Sequence, residues 1–365
     1  MKVLQVTTHF NIGGISNYIL TLSKALEARG VKVVVASSGG NLESGLAGCH
    51  IPHRRLSIRT KFEFGPKAIS SGFKIAGIVR AEGVDIIHAH TRVSQVAAAI
   101  ASKITGVPYI TTCHGYFRKR ARGMLDTWGK RVIAISAAVR EHLMDDLGVG
   151  ASRISLIYSG VDPDRFSRNY SFNEIAAIKK ATGLDDGPVI GNIGRLSSVK
   201  GQKFLVAAMR DVIAKRPDAQ CFILGNGGER EALKALAESL DIEDAVKFVD
   251  SCADTYKYLS IMDVFVFPSI KEGLGMALLE ALAAGKASVA SRIGGIEDII
   301  TDGVNGILVE VADPFGIAKA ILRLLDDEEL RRKMGEEGRV TVRSGFTLDS
   351  MAEKVLGLYE EVVKR

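Results

Sequence analysis

Short apolar runs alternate with amphipathic stretches from one end of the chain to the other. Val3 to Thr7, Lys32 to Ala36, Asp85 to Ala89, Pro108 to Cys113 and Arg131 to Ile135 read as buried strands. Between the first two, Ile15, Tyr18, Ile19, Leu22, Ala25 and Leu26 recur at helical spacing, and Gly30 follows as a stop signal. After Leu156 the pattern lapses into Tyr158-Ser159-Gly160-Val161-Asp162-Pro163-Asp164, a connection. It then restarts, with strands at Val189 to Ile193, Gln220 to Leu224, Val246 to Val249, Val264 to Phe267 and Ala287 to Ala290 and helices between them. Strand and helix in alternation predict parallel sheets covered by helices, an α/β fold of two doubly wound units in series. The expected domains are 1–165 and 166–345. A final segment, 346–365, carries a helix from about Leu348 whose Met351, Val355, Leu358 and Val362 form one apolar stripe.

Composition narrows the classes. Of 365 residues, 47% are hydrophobic and 25% charged, which excludes disorder and allows two cores. Cys49, Cys113, Cys221 and Cys252 form no C-x-x-C pair, a usage that suits a reducing compartment. The best apolar run, around Val96 to Ala101, stops at Lys103, short of a membrane span. No leader peptide is visible ahead of the first strand, so a cytoplasmic protein is expected.

Charge is unevenly spread. Residues 1–160 hold 21 Lys and Arg against 9 Asp and Glu, a net of +12, so the remainder of the +6 chain is −6. The excess concentrates in Arg54, Arg55, Arg59, Lys61 and Lys67, and in Arg118, Lys119, Arg120, Arg122, Lys130 and Arg131. Such a half attracts phosphate-bearing lipid or an anionic membrane surface, or is simply a solvated basic face. Nucleic acid is not expected, because only Tyr116, Phe117 and Trp128 accompany these charges and no binding motif does.

In open α/β sheets ligands sit beyond the carboxyl ends of the strands, and the candidate residues lie there. Gly13-Gly14 follows the first strand and precedes a helix, where backbone can approach a ligand; it is not G-x-G-x-x-G. Gly194-Arg195-Leu196-Ser197-Ser198-Val199-Lys200-Gly201 follows the first strand of the second unit. There Arg195 could offer a fork of donors and Lys200 a point charge to a phosphate, although for this stretch alone two surface cations on a loop is the favoured reading. Gly225-Asn226-Gly227-Gly228 is a further glycine-rich turn. The segment from Pro268 to Leu282 says more. Glu272 falls in the loop before a strongly apolar helix that starts near Gly275, and Glu280 lies some two turns along it. Helix N-termini favour anions. A diphosphate over that terminus with a hydroxyl-bearing group on each side, as in a nucleotide sugar, matches two carboxylates so placed. Glu280, among Ala277, Leu278, Leu279 and Leu282, needs a polar partner. His88 and His90 share one face of a strand end, and two histidines without a third ligand are weak evidence of a metal site. Core hydrogen bonding is expected for His88 and ligand contact for His90. Cys113 and His114, adjacent on a strand, point to opposite faces and form no dyad. His9 is open to either a ligand-facing or a surface role.

The Glu272 to Glu280 segment, joined to Gly194-Arg195-Leu196 and Lys200-Gly201, resembles glycosyltransferase family 4. The likeness extends to Gly13-Gly14, His88-Ala89-His90, His114-Gly115, Ser159-Gly160-Val161-Asp162, Asp263 to Ser269 and Gly303 to Val309. Ser159 stands where that family more often has Asn, and Lys286 to Ser291 lacks its usual proline. The resemblance implies a retaining, nucleotide-sugar-dependent hexosyltransferase of the GT-B fold, two Rossmann-like domains facing across a cleft with the last helix packed on the N-terminal one. It further implies that Arg195 and Lys200 bind the donor diphosphate. Glu272 would hold hydroxyls of the transferred sugar, Glu280 the ribose, and backbone at Gly273, Leu274, Gly275 and Met276 the phosphate or sugar. Gly14 would approach the donor or acceptor and His114 the sugar. A catalytic set of His114, Arg195, Lys200 and Glu272 follows, with no metal and no cofactor required. The expected partners are the nucleotide-sugar donor, a glycan or glycolipid acceptor of the lipopolysaccharide kind, and an anionic membrane touched peripherally. Rival readings are a sugar-nucleotide 2-epimerase and a non-catalytic nucleotide-sugar-binding module; a nicotinamide oxidoreductase is disfavoured by the missing glycine fingerprint.

Overall fold

A computed structural model describes residues 1–117, 127–252 and 254–364. The elements run β1 (Lys2–Val6), α1 (Gly14–Glu27), β2 (Lys32–Ser37), α2 (Glu43–Ala47), β3 (His53–Arg55), α3 (Pro66–Glu82), β4 (Ile86–Ala89), α4 (Arg92–Thr105), β5 (Tyr109–Cys113), β6 (Arg131–Ala134), α5 (Ala137–Glu141) and β7 (Ile154–Leu156). They continue with α6 (Phe172–Thr182), β8 (Val189–Ile193), α7 (Gln202–Lys215), β9 (Gln220–Leu224), α8 (Arg230–Ser239), β10 (Val246–Val249), α9 (Tyr256–Ser260), β11 (Val264–Phe267), α10 (Met276–Ala283), β12 (Ala287–Ser291), β13 (Ile307–Val309), α11 (Pro314–Asp326), α12 (Glu328–Gly345) and α13 (Leu348–Lys364).

The chain divides into two units, Met1–Ser159 with Leu348–Arg365, and Gly160–Thr347. Among the described residues of the first, seven parallel strands lie in the order β3-β2-β1-β4-β5-β6-β7. The second holds six, again parallel, in the order β10-β9-β8-β11-β12-β13. Both orders step outward from a central strand, reverse, and step out the other way, the doubly wound arrangement expected from the alternating pattern. Ten strands were legible in sequence. β3, β7 and β13 were not, being three-residue edge strands too short to show a period.

Each unit closes its own core. Leu205, Val206, Met209, Val264, Val266, Ile317 and Ile321 lie under the second sheet. In the first unit the apolar stripe of α13, namely Met351, Val355, Leu358 and Val362, packs with Val3, Tyr18, Ile19 and Leu22. Arg131 Nη2, donating to both Glu361 carboxylate oxygens at 2.9 Å, and an Arg29–Asp349 pair at 2.7 Å fix that helix at both ends.

Candidate active site

In the second unit the strand order reverses between β8 and β11, so a crevice opens beyond their carboxyl ends. The loop after β8 carries Arg195 and Lys200, and the loop after β11 carries Glu272 and leads into α10. Backbone ties the two loops together: the Ile270 N–H donates to Val199 O at 2.9 Å and the Lys271 N–H to the same oxygen at 3.3 Å. Gly201 permits this closeness. It sits at φ +67° and a Cβ there would fall 1.9 Å from Pro268 O. Gly225 and Gly227 do the same against Gly194 and Leu196, where a Cβ would meet carbonyl oxygen at 1.9 Å. The glycine-rich turn after β9 is therefore the packing support of the Arg195 loop.

Lys200 and Glu272 form an ion pair, half-buried on both sides, with the ammonium 5.3 Å from the Phe267 ring centre. The Ser269 hydroxyl adds a 3.4 Å bond to the same carboxylate oxygen. Arg195 is exposed, and its guanidinium has no ion pair or hydrogen bond among the described residues. Ser197 Oγ, in the same loop, is buried without a hydrogen-bond partner among those residues. Helix α10 begins after Gly275, at φ 107° and ψ 65°, with no side-chain cap and no acidic residue in its first turn. Its leading N–H groups are thus available to an anion.

Glu280 finds its partner in Thr255, whose hydroxyl donates to the carboxylate at 3.0 Å. Burial pushes this carboxyl above its ordinary range, opposed by that hydrogen bond and by the Arg165 charge. Thr255 and Ser197 were not singled out in sequence. Hydroxyl residues in loops are too common to stand out, and only the fold brings Thr255 beside a glutamate 25 residues away.

In the first unit Gly14 opens α1, and a Cβ at that position would meet no atom within 4 Å. His114 is half-buried just past β5, its ring edge-on to Tyr18 with centres 4.8 Å apart. Burial pushes its imidazole down to about 3. His88 is a core histidine, hydrogen-bonded to Tyr359 Oη at 2.6 Å and Thr112 Oγ1 at 2.7 Å. The expectation for His90 is corrected. It is fully buried, and both ring nitrogens are used by Gln5 and His114, so no nitrogen is left for a ligand. Cys113 is buried, its thiol donating to Gly115 O at 3.1 Å and pushed up to about 12 by burial. His9 is exposed.

The basic excess is partly neutralised. Arg54 pairs with Glu82, Arg55 with Glu43 and Arg131 with Glu361. Arg59, Lys61 and Lys67 remain exposed, while Arg118, Lys119, Arg120 and Arg122 lie outside the described residues. Among the described residues no three His, Cys, Asp or Glu side chains converge as a metal site, and no helix is long and apolar enough to cross a membrane.

The chain is similar over nearly its whole length to known proteins. It is 27% identical to N-acetyl-alpha-D-glucosaminyl L-malate synthase of Bacillus anthracis, covering 98% of this chain and 95% of that one. It is 29% identical to D-inositol 3-phosphate glycosyltransferase of Xylanimonas cellulosilytica, covering 97% and 93%. The fold superposes on that of Anabaena HepE, solved with UDP and glucose, at a TM-score of 0.87 and 23% identity over 99% of each chain. Residues 12–165 match the model of glycosyltransferase family 4, and residues 174–341 that of glycosyl transferases group 1. With one such domain in each unit, the chain belongs to glycosyltransferase family 4 and has the GT-B fold.

Proposed function

We propose that this glycosyltransferase binds a nucleotide-sugar donor in its C-terminal unit and transfers the sugar with retention to an anionic acceptor bound by its N-terminal unit. The observation that carries the donor assignment is the convergence of Arg195, Lys200, Glu272 and the uncapped start of α10 beyond β8 and β11. In this reading the exposed guanidinium of Arg195 and the ammonium of Lys200 grip the diphosphate, whose second face meets the N–H groups after Gly275. Lys200 has three donors, so it keeps Glu272 while reaching phosphate. Glu272 and the backbone of Gly273, Leu274 and Met276 then hold the sugar, Glu280 the ribose, and His114 and Gly14 act from the N-terminal unit. Negative charge builds on the leaving diphosphate as the glycosidic bond to it breaks, and the two cations with the helix start stabilise it. These fixed charges remove the need for a divalent metal. The attacking hydroxyl's proton passes to the departing phosphate.

The acceptor reading rests on charge and exposed apolar surface. Two relatives name anionic molecules, L-malate and D-inositol 3-phosphate. Helix α3 exposes Ile69 and Phe73 at 44% and 62%, one turn apart, beside Lys67 and Lys74, and Phe62 just before it is 75% exposed beside Arg59 and Lys61. Aromatics ringed by lysines suit an anionic lipid surface, so an envelope glycolipid reached from the cytoplasmic face is the favoured acceptor.

A thermal-shift screen of nucleotide sugars tests the donor site, because a ligand stabilises by RT ln(1 + [L]/Kd). One nucleotide sugar should raise Tm and be consumed with acceptor, and Arg195→Ala should lower turnover about 100-fold or more, the cost of one lost charge-stabilising donor being about 3 to 4 kcal/mol. Near-normal turnover in that variant would remove Arg195 from the site.

A further inference from the structure

Six polar side chains run in series through the core of the N-terminal unit, and glycosyl transfer as described uses only the last of them. The order is Thr112, His88, Tyr359, Gln5, His90 and His114. A carboxamide oxygen only accepts and its NH2 only donates, while a neutral imidazole has one donor and one acceptor nitrogen. These rules give the chain a direction. Gln5 sets Oε1 2.6 Å from His90 Nε2, so that nitrogen carries the proton and His90 Nδ1 is an acceptor. His114 Nε2 lies 3.1 Å from this Nδ1 and must donate to it. The proton of His114 is thereby placed on Nε2, and its Nδ1 is bare. No described residue hydrogen-bonds that nitrogen.

The far end agrees. Gln5 Nε2 donates to Tyr359 Oη at 3.1 Å, leaving the phenolic proton for His88 Nδ1 at 2.6 Å, and His88 Nε2 donates to Thr112 Oγ1 at 2.7 Å. Every donor points the same way, from His114 towards Thr112, the arrangement in which neighbouring hydrogen bonds polarise one another. Reversing it requires the Gln5 amide to turn over and every proton to move. Burial holds the His88 and His90 imidazoles well below their ordinary range and His114 at about 3, so all three stay neutral, as a one-way chain demands.

We propose that Gln5, His90 and Tyr359 are positioning residues that hold His114 as its Nε2–H tautomer, so that Nδ1 is presented as a fixed hydrogen-bond acceptor for a hydroxyl of the transferred sugar. The identity of that hydroxyl's owner rests on the donor reading above; the tautomer does not. Tyr359 belongs to α13, so the last helix of the chain reaches the His114 imidazole through three hydrogen bonds.

The test is nitrogen NMR of the full chain labelled with 15N-histidine, without substrate. In the native protein His114 should show a protonated Nε2 and an unprotonated Nδ1. In Gln5→Met, which keeps bulk and removes both bonds, and in Tyr359→Phe, which frees the amide to turn, the two nitrogen signals of His114 should average towards each other while the fold persists. A protonated Nδ1 in the native protein, or an unchanged tautomer in both variants, overturns the proposal. Adding the nucleotide sugar with the largest thermal shift should then move the native Nδ1 signal. If it does not, the sugar contact fails while the tautomer assignment, read without ligand, stands.

Discussion

At the scale of single residues the crevice of the C-terminal unit is a set of charges held ready. Lys200 and Glu272 satisfy each other in the free protein, whereas Arg195 projects into solvent. Glu280 is the strained member, its carboxyl raised above the ordinary 4.5 chiefly by burial. A folded-state value above the unfolded one means that the native protein binds more protons in the intervening range, so stability falls as pH rises through it. Glu280→Gln, which keeps the Thr255 contact, should therefore raise Tm at pH 7, with the gain vanishing below about pH 4.5. The same variant should bind donor more weakly, since an amide accepts fewer hydrogen bonds from vicinal hydroxyls. Scanning calorimetry across pH reads the first effect and titration the second; a lower Tm at pH 7 would show that the carboxylate is stabilising instead.

At the scale of elements, what the sequence made legible follows from periodicity and local chemistry. Strands such as Val264 to Phe267 and the helix beyond Gly275 were readable, because continuous apolar runs and glycine punctuation mark them. So were Arg195, Lys200, Glu272 and Glu280, which stand at strand ends. The Lys200–Glu272 pair, the Thr255 partner of Glu280 and the Gln5–Tyr359 link across 354 residues were hidden, because pairing between distant loops leaves no local period. His90 was misjudged for the same reason: its hydrogen-bond partners come from β1 and the turn after β5. Gln5, a polar residue in the apolar run Val3 to Val6, was the available signal that this strand buries a polar network. The glycine turns are equally specific. Gly201→Ala forces an L-residue into the left-handed region, at about 1–2 kcal/mol, and drives Cβ against Pro268 O. Its Tm should fall by about 5 °C or more, at roughly 2–4 °C per kcal/mol for a unit of this size. Because the displaced loop carries Lys200, donor affinity should drop with it; an unaffected Tm and affinity would show that the two loops move independently.

At the scale of the whole molecule the two units differ in how they answer acid. Three neutral imidazoles, those of buried His88 and His90 and half-buried His114, lie in the N-terminal unit, each lowered by burial from an ordinary 6.5. The unfolded chain binds these protons below about pH 6.5 and the native one does not, so stability is full above that value and is lost as pH falls. Each such group contributes about 1.4 kcal/mol per pH unit, and three give a slope of about 4. Urea unfolding between pH 7 and 5 should show the N-terminal unit weakening first; parallel loss in both units would contradict this. The exposed α3 surface makes a separate prediction. Sedimentation with anionic vesicles should be strong at low salt, fall as salt screens the lysines, and weaken in Phe62→Ser with Phe73→Ser. Absence of binding at low salt would favour a small dissolved anionic acceptor.

The account turns on where the donor's diphosphate goes. A crystal structure with an intact nucleotide sugar measures that directly: the phosphate oxygens should lie within about 3 Å of Arg195, Lys200 and the N–H groups that follow Gly275, with Glu272 bonded to sugar hydroxyls and Glu280 to ribose. A diphosphate bound elsewhere on the chain, with Arg195 still in solvent and Lys200 bonded only to Glu272, would contradict it.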